Sequence, residues 1–171
     1  MSDVKKVAVI GGGAAGMMAA ISARKAGAEV IILEKNPRVG KKILATGNGR
    51  CNFTNMNADV PWYHGRNPSF AEGALKAFTV EDTLRFFQEL GIEPKVEEMG
   101  KVFPMSDQAS SILDVLLYAI HEEGIEVSSD TFIMDIAKKG RQFELKAESG
   151  NTFPADSVIL AAGGKAMPSS G

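Results

Sequence analysis

Val7-Ala8-Val9-Ile10, then Gly11-Gly12-Gly13-Ala14-Ala15-Gly16, then Glu29 to Leu33 ending at Glu34, is the stretch that decides the fold. A short apolar run before a glycine cluster reads as a strand buried on both faces. Met17 to Ala26 is rich in Ala and Met, good helix formers with small side chains suited to packing on a sheet. Gly27 is placed to stop that helix. The next β-branched run ends in a carboxylate eighteen residues after Gly16. In the pattern Gly11-x-Gly13-x-x-Gly16, the first glycine permits a sharp turn off the strand. The second lets backbone approach a pyrophosphate, and the third lets helix press on strand. The helix N-terminus then offers N–H groups and a positive dipole to the phosphates. Glu34 can accept hydrogen bonds from an adenosine ribose and would repel a 2′-phosphate, which argues against NADP at this point. A glycine-rich turn before a purely structural helix is the plain alternative, and the full strand–turn–helix–strand–acid context argues against it.

The rest of the composition narrows the class. The chain has 171 residues, 44% of them hydrophobic, enough for one domain with a real core. A formal net charge of -2 gives no general reason to expect nucleic acid or an anionic membrane as partner. The single cysteine excludes an internal disulfide and suits a reducing, cytoplasmic setting. The first apolar run breaks at Gly11, too early for a signal-peptide core, and no stretch approaches the length of a membrane span. The two histidines, His64 and His121, form no metal-ligand cluster with the one cysteine, so no metal is expected.

Outward from the first unit, residues 36–57 show little periodicity and many Gly and Asn, the mark of a long functional loop. Helices are expected over Ser69 to Phe78, after Thr79 (ending at Gly91) and after Ser106 (ending at Gly124). Lys95–Val96 and Lys101–Phe103 are expected to pair as a hairpin. Ile125–Val127 is expected as a sheet strand. Thr131–Ala137, Gln142–Ala147 and Asn151–Phe153 read as a three-stranded meander turning at Lys139-Gly140 and Ser149-Gly150. Ser157 to Ala162 reads as a last buried strand.

Two further motifs carry chemistry. Ser157-Val158-Ile159-Leu160-Ala161-Ala162-Gly163-Gly164, a strand ending in glycines after a meander, resembles the second dinucleotide motif of FAD enzymes of the glutathione-reductase type. Gly40-Lys41-Lys42-Ile43-Leu44-Ala45-Thr46-Gly47-Asn48-Gly49-Arg50-Cys51-Asn52-Phe53-Thr54-Asn55 is the more individual. It resembles the signature of the BaiN-like (aminoacetone-oxidase-like) bacterial NAD(P)/FAD-dependent oxidoreductases, as does Lys101 to Ser110. The likeness extends over essentially the whole chain. Beside it, the loop's own chemistry offers neutral hydrogen-bonding groups (Thr46, Asn48, Asn52, Thr54), positive charge (Lys41, Lys42, Arg50) and residues that tolerate positive φ.

The resemblance implies an α/β, Rossmann-like FAD/NAD(P)-binding domain of glutathione-reductase type, with a parallel sheet and a β-meander crossover. It implies FAD as cofactor, NAD(P)H as a candidate electron donor, a small-molecule redox substrate, and no nucleic acid or membrane. The candidate cofactor residues are Gly11, Gly13, Ala14, Ala15, Gly16, Glu34, Lys35, Lys42, Thr46, Gly49, Arg50, Asn52, Ala162, Gly163 and Gly164. Catalytic residues are not assigned, and Cys51 has no partner in sequence that marks it as redox-active. The family's chains are longer. Residues 1–171 are therefore expected to form an incomplete FAD-binding domain, inactive alone and with weakened or absent flavin binding. Two other readings stay open: an NAD-dependent dehydrogenase domain and a non-catalytic dinucleotide-binding module.

Overall fold

The computed structural model describes residues 4–164. In chain order it runs β1 (Lys6–Ile10), α1 (Ala14–Lys25), β2 (Glu29–Leu33), β3 (Thr54–Asn55), α2 (Glu72–Ala77), α3 (Val80–Glu89), β4 (Pro94–Val96) and β5 (Lys101–Pro104). It continues with α4 (Ala109–Glu122), β6 (Glu126–Ser128), β7 (Ile133–Lys139), β8 (Gln142–Ala147), β9 (Thr152–Ala155) and β10 (Ser157–Leu160). Short 3-10 turns cover Ile43–Gly49, Val60–Trp62, Pro68–Ala71 and Glu98–Gly100. The chain divides into two compact units, one holding the chain up to Lys42 and from Leu116 onward, the other Ile43–Val115.

The first unit is the expected Rossmann-like architecture. Its parallel sheet has the order β10-β1-β2-β6. β1 sits in the middle, with Ile10 opposite Leu160 on one side and Leu33 on the other. Successive residues of a strand point to opposite faces, so a strand of a sheet covered on both sides must be apolar throughout. Val9 and Ile32 are fully buried, as is Ala8 on the other face of β1. On one face Ala8 and Leu33 join Leu145 and Ala155 of the meander in a single core, with Ile10, Ile31, Phe143 and Phe153 packed around them. The meander pairs β7-β8-β9 antiparallel and turns at Gly140 and Gly150, both at positive φ. It carries the chain from β6 at one sheet edge to β10 at the other, a crossover more often made by a helix. α1 packs against β1, β2 and β10, burying Gly16, Met17, Ala20 and Ile21. Gly27, at φ +90, ends the segment.

The second unit holds a small antiparallel sheet in the order β3-β5-β4. The expected hairpin is there, but the two-residue β3 that pairs with β5 is too short to leave a periodic signature. α3 begins in a capping box: Thr79 accepts from the Asp82 backbone N–H, and Asp82 accepts from that of Thr79. Phe87 is its buried anchor, edge-on to Phe86 and 4.9 Å from Phe53. The helix expected over Ser69 to Phe78 is instead a 3-10 turn at Pro68–Ala71 followed by six residues of α2. None of those ten residues is buried, so nothing holds a longer helix together there. α4 begins at Ala109 rather than directly after Ser106. Asp107 is at φ +52, which helical backbone does not allow, and the Ser106 hydroxyl meets that of Ser111 at 2.8 Å.

Candidate functional site

In the first unit the four glycines of the turn do four different things. Gly11 sits at φ +101, donates its N–H to the Leu33 carbonyl, and a Cβ there would come 2.6 Å from the Ala161 carbonyl. It needs glycine both for its dihedral and for the close passage of the end of β10. A Cβ at Gly12 would run into Val39, and one at Gly16 would run into the Gly11 carbonyl oxygen. Gly16 is thus glycine so that α1 can press directly on the turn. Gly13 differs. Its φ is -78, which any residue adopts, and a Cβ there would meet no protein atom within 4 Å. Nothing among the described residues requires glycine at 13, and none of their atoms fills the space in front of its backbone.

Gly13 is also the N-cap of α1. No side chain caps this helix, and its first turn contains no acidic residue. Ala14 and Ala15 are exposed. Among the described residues no side chain bonds the leading N–H groups of this twelve-residue helix, whose positive end is left to solvent; the one nearby carboxylate, Glu34, accepts the N–H of Gly12, before the cap. Lys35 and Lys42 are exposed on the same unit. The backbone of Ala162 passes against Gly11, and Gly163 lies at φ +104 beside Gly164.

Glu34 is the one buried charged residue, 7% exposed, among the described residues. Its Oε2 accepts the Gly12 N–H at 2.7 Å. Its Oε1 accepts both the backbone N–H of Asn36, at 2.8 Å, and the Asn36 side-chain amide. Gly12 in turn accepts the Gly40 N–H at 2.7 Å through its carbonyl. Sequence reading found Glu34 but not Gly12, Asn36 or Gly40 as its supports. The available signals were a third glycine inside the fingerprint and an Asn two residues past the acid, the spacing of a side-chain-to-backbone turn.

The second unit carries Thr46, Gly49, Arg50 and Asn52 on a loop of left-handed backbone. Gly47, Asn48, Gly49 and Cys51 all have positive φ. A Cβ at Gly47 would come 2.8 Å from the Asn52 nitrogen. The Thr46 hydroxyl donates to the Ile43 carbonyl at 2.7 Å. Asn52 Oδ1 accepts the Val102 N–H at 3.2 Å. Arg50 stacks 4.1 Å over the Phe103 ring and donates to both Glu97 and Asp107. Lys95 completes a closed ring of ion pairs, 3.1 Å from Glu97 and 2.7 Å from Asp107. Arg50 first, then Lys95, holds the Glu97 carboxyl below its usual range. Lys95 first, then Arg50, does the same for Asp107. Burial pushes the Cys51 thiol up, the opposite of what a reactive thiolate needs.

No helix among the described residues is long and apolar enough to cross a membrane. Comparison with known proteins adds three findings. The model of the HI0933-like protein Rossmann domain matches residues 5–171. The chain is 43% identical over 170 residues to the 3-dehydro-bile acid delta(4,6)-reductase of Clostridium scindens, covering 98% of this chain and 41% of that protein. It is 32% identical over 163 residues to the ribosomal RNA dihydrouridine synthase of Escherichia coli, covering 95% of this chain and 40% of that protein. The chain thus spans about two fifths of the length of these curated relatives. Among solved structures, a flavocytochrome c3 fumarate reductase in its open conformation shares the fold at TM-score 0.63 and 22% identity, over 95% of this chain and 34% of that one. THI4 of Thermovibrio ammonificans does so at TM-score 0.58 and 13% identity, over 94% and 58%.

Proposed function

The chain belongs to the HI0933-like Rossmann-domain family, and from that premise we propose that residues 1–171 are the FAD-binding part of a flavin-dependent oxidoreductase. The observation that carries the reading is Gly13. Of the four glycines in the turn it is the one whose dihedral and neighbours give no reason for lacking a side chain, and it caps a helix end that no side chain among the described residues seals. That is the shape a pyrophosphate fits, held by the Gly13, Ala14 and Ala15 backbone against the dipole of α1. Glu34 takes the adenosine ribose. Its negative charge, buried beside the turn, disfavours a 2′-phosphate and so favours FAD over NADP. Lys35, Lys42, Ala162, Gly163 and Gly164 complete the set on this unit.

Thr46, Gly49 and Asn52 are proposed as cofactor residues on the strength of the sequence resemblance, which also pointed to Arg50. Because the donors of Arg50 already go to Glu97 and Asp107, we assign it the role of shaping its loop. Bound flavin would supply two-electron transfer at its isoalloxazine, with NAD(P)H as the proposed donor.

For the substrate we favour a small molecule, the kind named by the reductase at 43% identity. An RNA substrate, named by the relative at 32%, would call for a basic surface. The formal net charge here is -2, and two cations of the second unit, Arg50 and Lys95, are tied to carboxylates. The one cysteine suits a cytoplasmic setting.

Titration of the longest natural form of the protein, freed of its cofactor, with FAD, FMN and NAD, followed by fluorescence and calorimetry, tests the cofactor. FAD should bind most tightly and ADP should displace it, since both carry the adenosine diphosphate half. Preference for NAD, or no response to ADP, overturns the reading. Release of the cofactor from the longest natural form of the protein should yield FAD.

A further inference from the structure

We propose that Asn36 is a positioning residue for ribose recognition, acting through Glu34; this rests on reading the first unit as an adenosine-dinucleotide site. A carboxylate offers about four lone-pair positions. On Glu34, Oε1 is taken by two donors of a single residue, the backbone N–H and the side-chain amide of Asn36. Oε2 accepts from Gly12 at 2.7 Å. The carboxylate is therefore held at both ends: Asn36 pins one oxygen, which keeps the other against the glycine turn. What remains for a ligand is the outstanding acceptor capacity of Oε2, beside the turn where a ribose diol joined to the pyrophosphate would present its hydroxyls.

Asn36 is itself fixed, because its carbonyl accepts the Asp130 N–H at 3.2 Å. The Glu34 backbone is fixed in the same way, its N–H donating to Ser128 and its carbonyl accepting from Thr131. The backbone of Glu34 is thus set by strand pairing and its neighbours, whereas the torsion of its carboxylate is set by three donors: the backbone N–H and side-chain amide of Asn36 and the Gly12 N–H. Without the Asn36 amide, Oε1 keeps only the Asn36 backbone N–H and Oε2 the Gly12 N–H, so the carboxylate loses one of three protein donors and is oriented less tightly toward the turn. A neutral amide also does what an acid at 36 could not, which is to approach Glu34 without like-charge repulsion.

The test uses ADP and 2′,3′-dideoxy-ADP as probes on the longest natural form of the protein, freed of cofactor, as wild type, Asn36→Ala, Asn36→Asp and Asn36→Ser, with calorimetry for affinity and circular dichroism for the fold. Asn36→Ala should weaken ADP about tenfold, the loss expected of one well-oriented hydrogen bond to a charged group, while leaving dideoxy-ADP nearly unchanged. Asn36→Asp should lose more for ADP. Asn36→Ser, which keeps a short donor, should recover part of the loss. Equal weakening of ADP and dideoxy-ADP would mean that Asn36 only braces the loop, and this inference fails while the FAD reading stands. If wild type binds neither ADP nor FAD, the FAD reading fails and takes this inference with it.

Discussion

Two glycine-rich stretches, residues 11–16 and 46–52, look alike in sequence and are used in opposite ways. In the first, the protein consumes glycine at 11, 12 and 16 for its own turn and packing, and leaves the backbone of Gly13 and the end of α1 facing open space. In the second, the left-handed backbone brings side chains into the protein's own service: Thr46 to Ile43, Asn52 to Val102, Arg50 to Glu97 and Asp107. The first stretch presents backbone donors that no side chain can remove. The second is a shaped loop in which Thr46, Arg50 and Asn52 are engaged with the protein itself. Rich hydrogen-bonding composition is therefore a poor guide to what faces a ligand; what counts is whether the protein has left a group unspent.

The comparison breaks most sharply at Gly16. A methyl group there would meet the backbone oxygen of Gly11, which cannot move without shifting β1 or α1. Gly16→Ala should cost about 3 kcal/mol or more of stability and abolish FAD binding, read by denaturant unfolding and by flavin titration. Wild-type stability in this variant would show that the turn is slack and that its glycines carry no packing role. The next effect lies in the other stretch. Arg50→Met removes one cation from the ion-pair ring, and the second unit should melt at a lower temperature.

The pH dependence of that ring has a definite sign. Glu97 and Asp107 are held below their ordinary values of 4.5 and 3.8. Their contribution is present above those values and is lost as pH falls through the lower values of the folded state. Lys95, raised above 10.5 chiefly by Asp107, contributes below that value and loses its contribution as pH rises past its folded value. Arg50→Met should flatten the acid limb of a melting-temperature profile. Because the ring is partly exposed, about 1 M salt should shrink the difference between variant and wild type.

The contrast also explains what could be read before the structure was known. β1, α1, β2 and the meander were legible because burial on both faces, helix-forming composition and Gly turns each leave a local signature, and Glu34 stands at a strand tip. The unsealed cap at Gly13 followed from the fingerprint spacing. The partners of Arg50 did not, because Glu97 and Asp107 are 47 and 57 residues away and meet it only through β4, β5 and the turn before α4. The role of Asn36 was missed because an Asn two residues past an acid signals a local side-chain-to-backbone turn but not that its amide also turns back onto the carboxylate. β3 and the shortened α2 were missed for want of a buried stripe.

The smallest effect on stability is the one that separates the two uses of a helix end most cleanly. α3 is sealed by Thr79 and Asp82, whereas α1 is not sealed at all. Thr79→Ala should therefore cost about 1 kcal/mol, as loss of a hydroxyl cap does. Gly13→Ser adds such a cap to α1. Its φ of -78 and its open surroundings accept the new side chain without strain. Stability should rise by a few tenths of a kcal/mol, the usual advantage of serine over glycine at an N-cap. The same hydroxyl would occupy the space in front of the turn and bond the N–H groups that a pyrophosphate needs, so FAD affinity should fall about tenfold while the fold grows slightly firmer. A gain in stability with no loss of FAD would mean that the open end of α1 is a weakness of the helix rather than a place kept for a ligand. Opposite signs in the two measurements would tie the missing side chain at 13 to binding, because a purely structural glycine could not be improved for the protein and spoiled for the cofactor by the same atom.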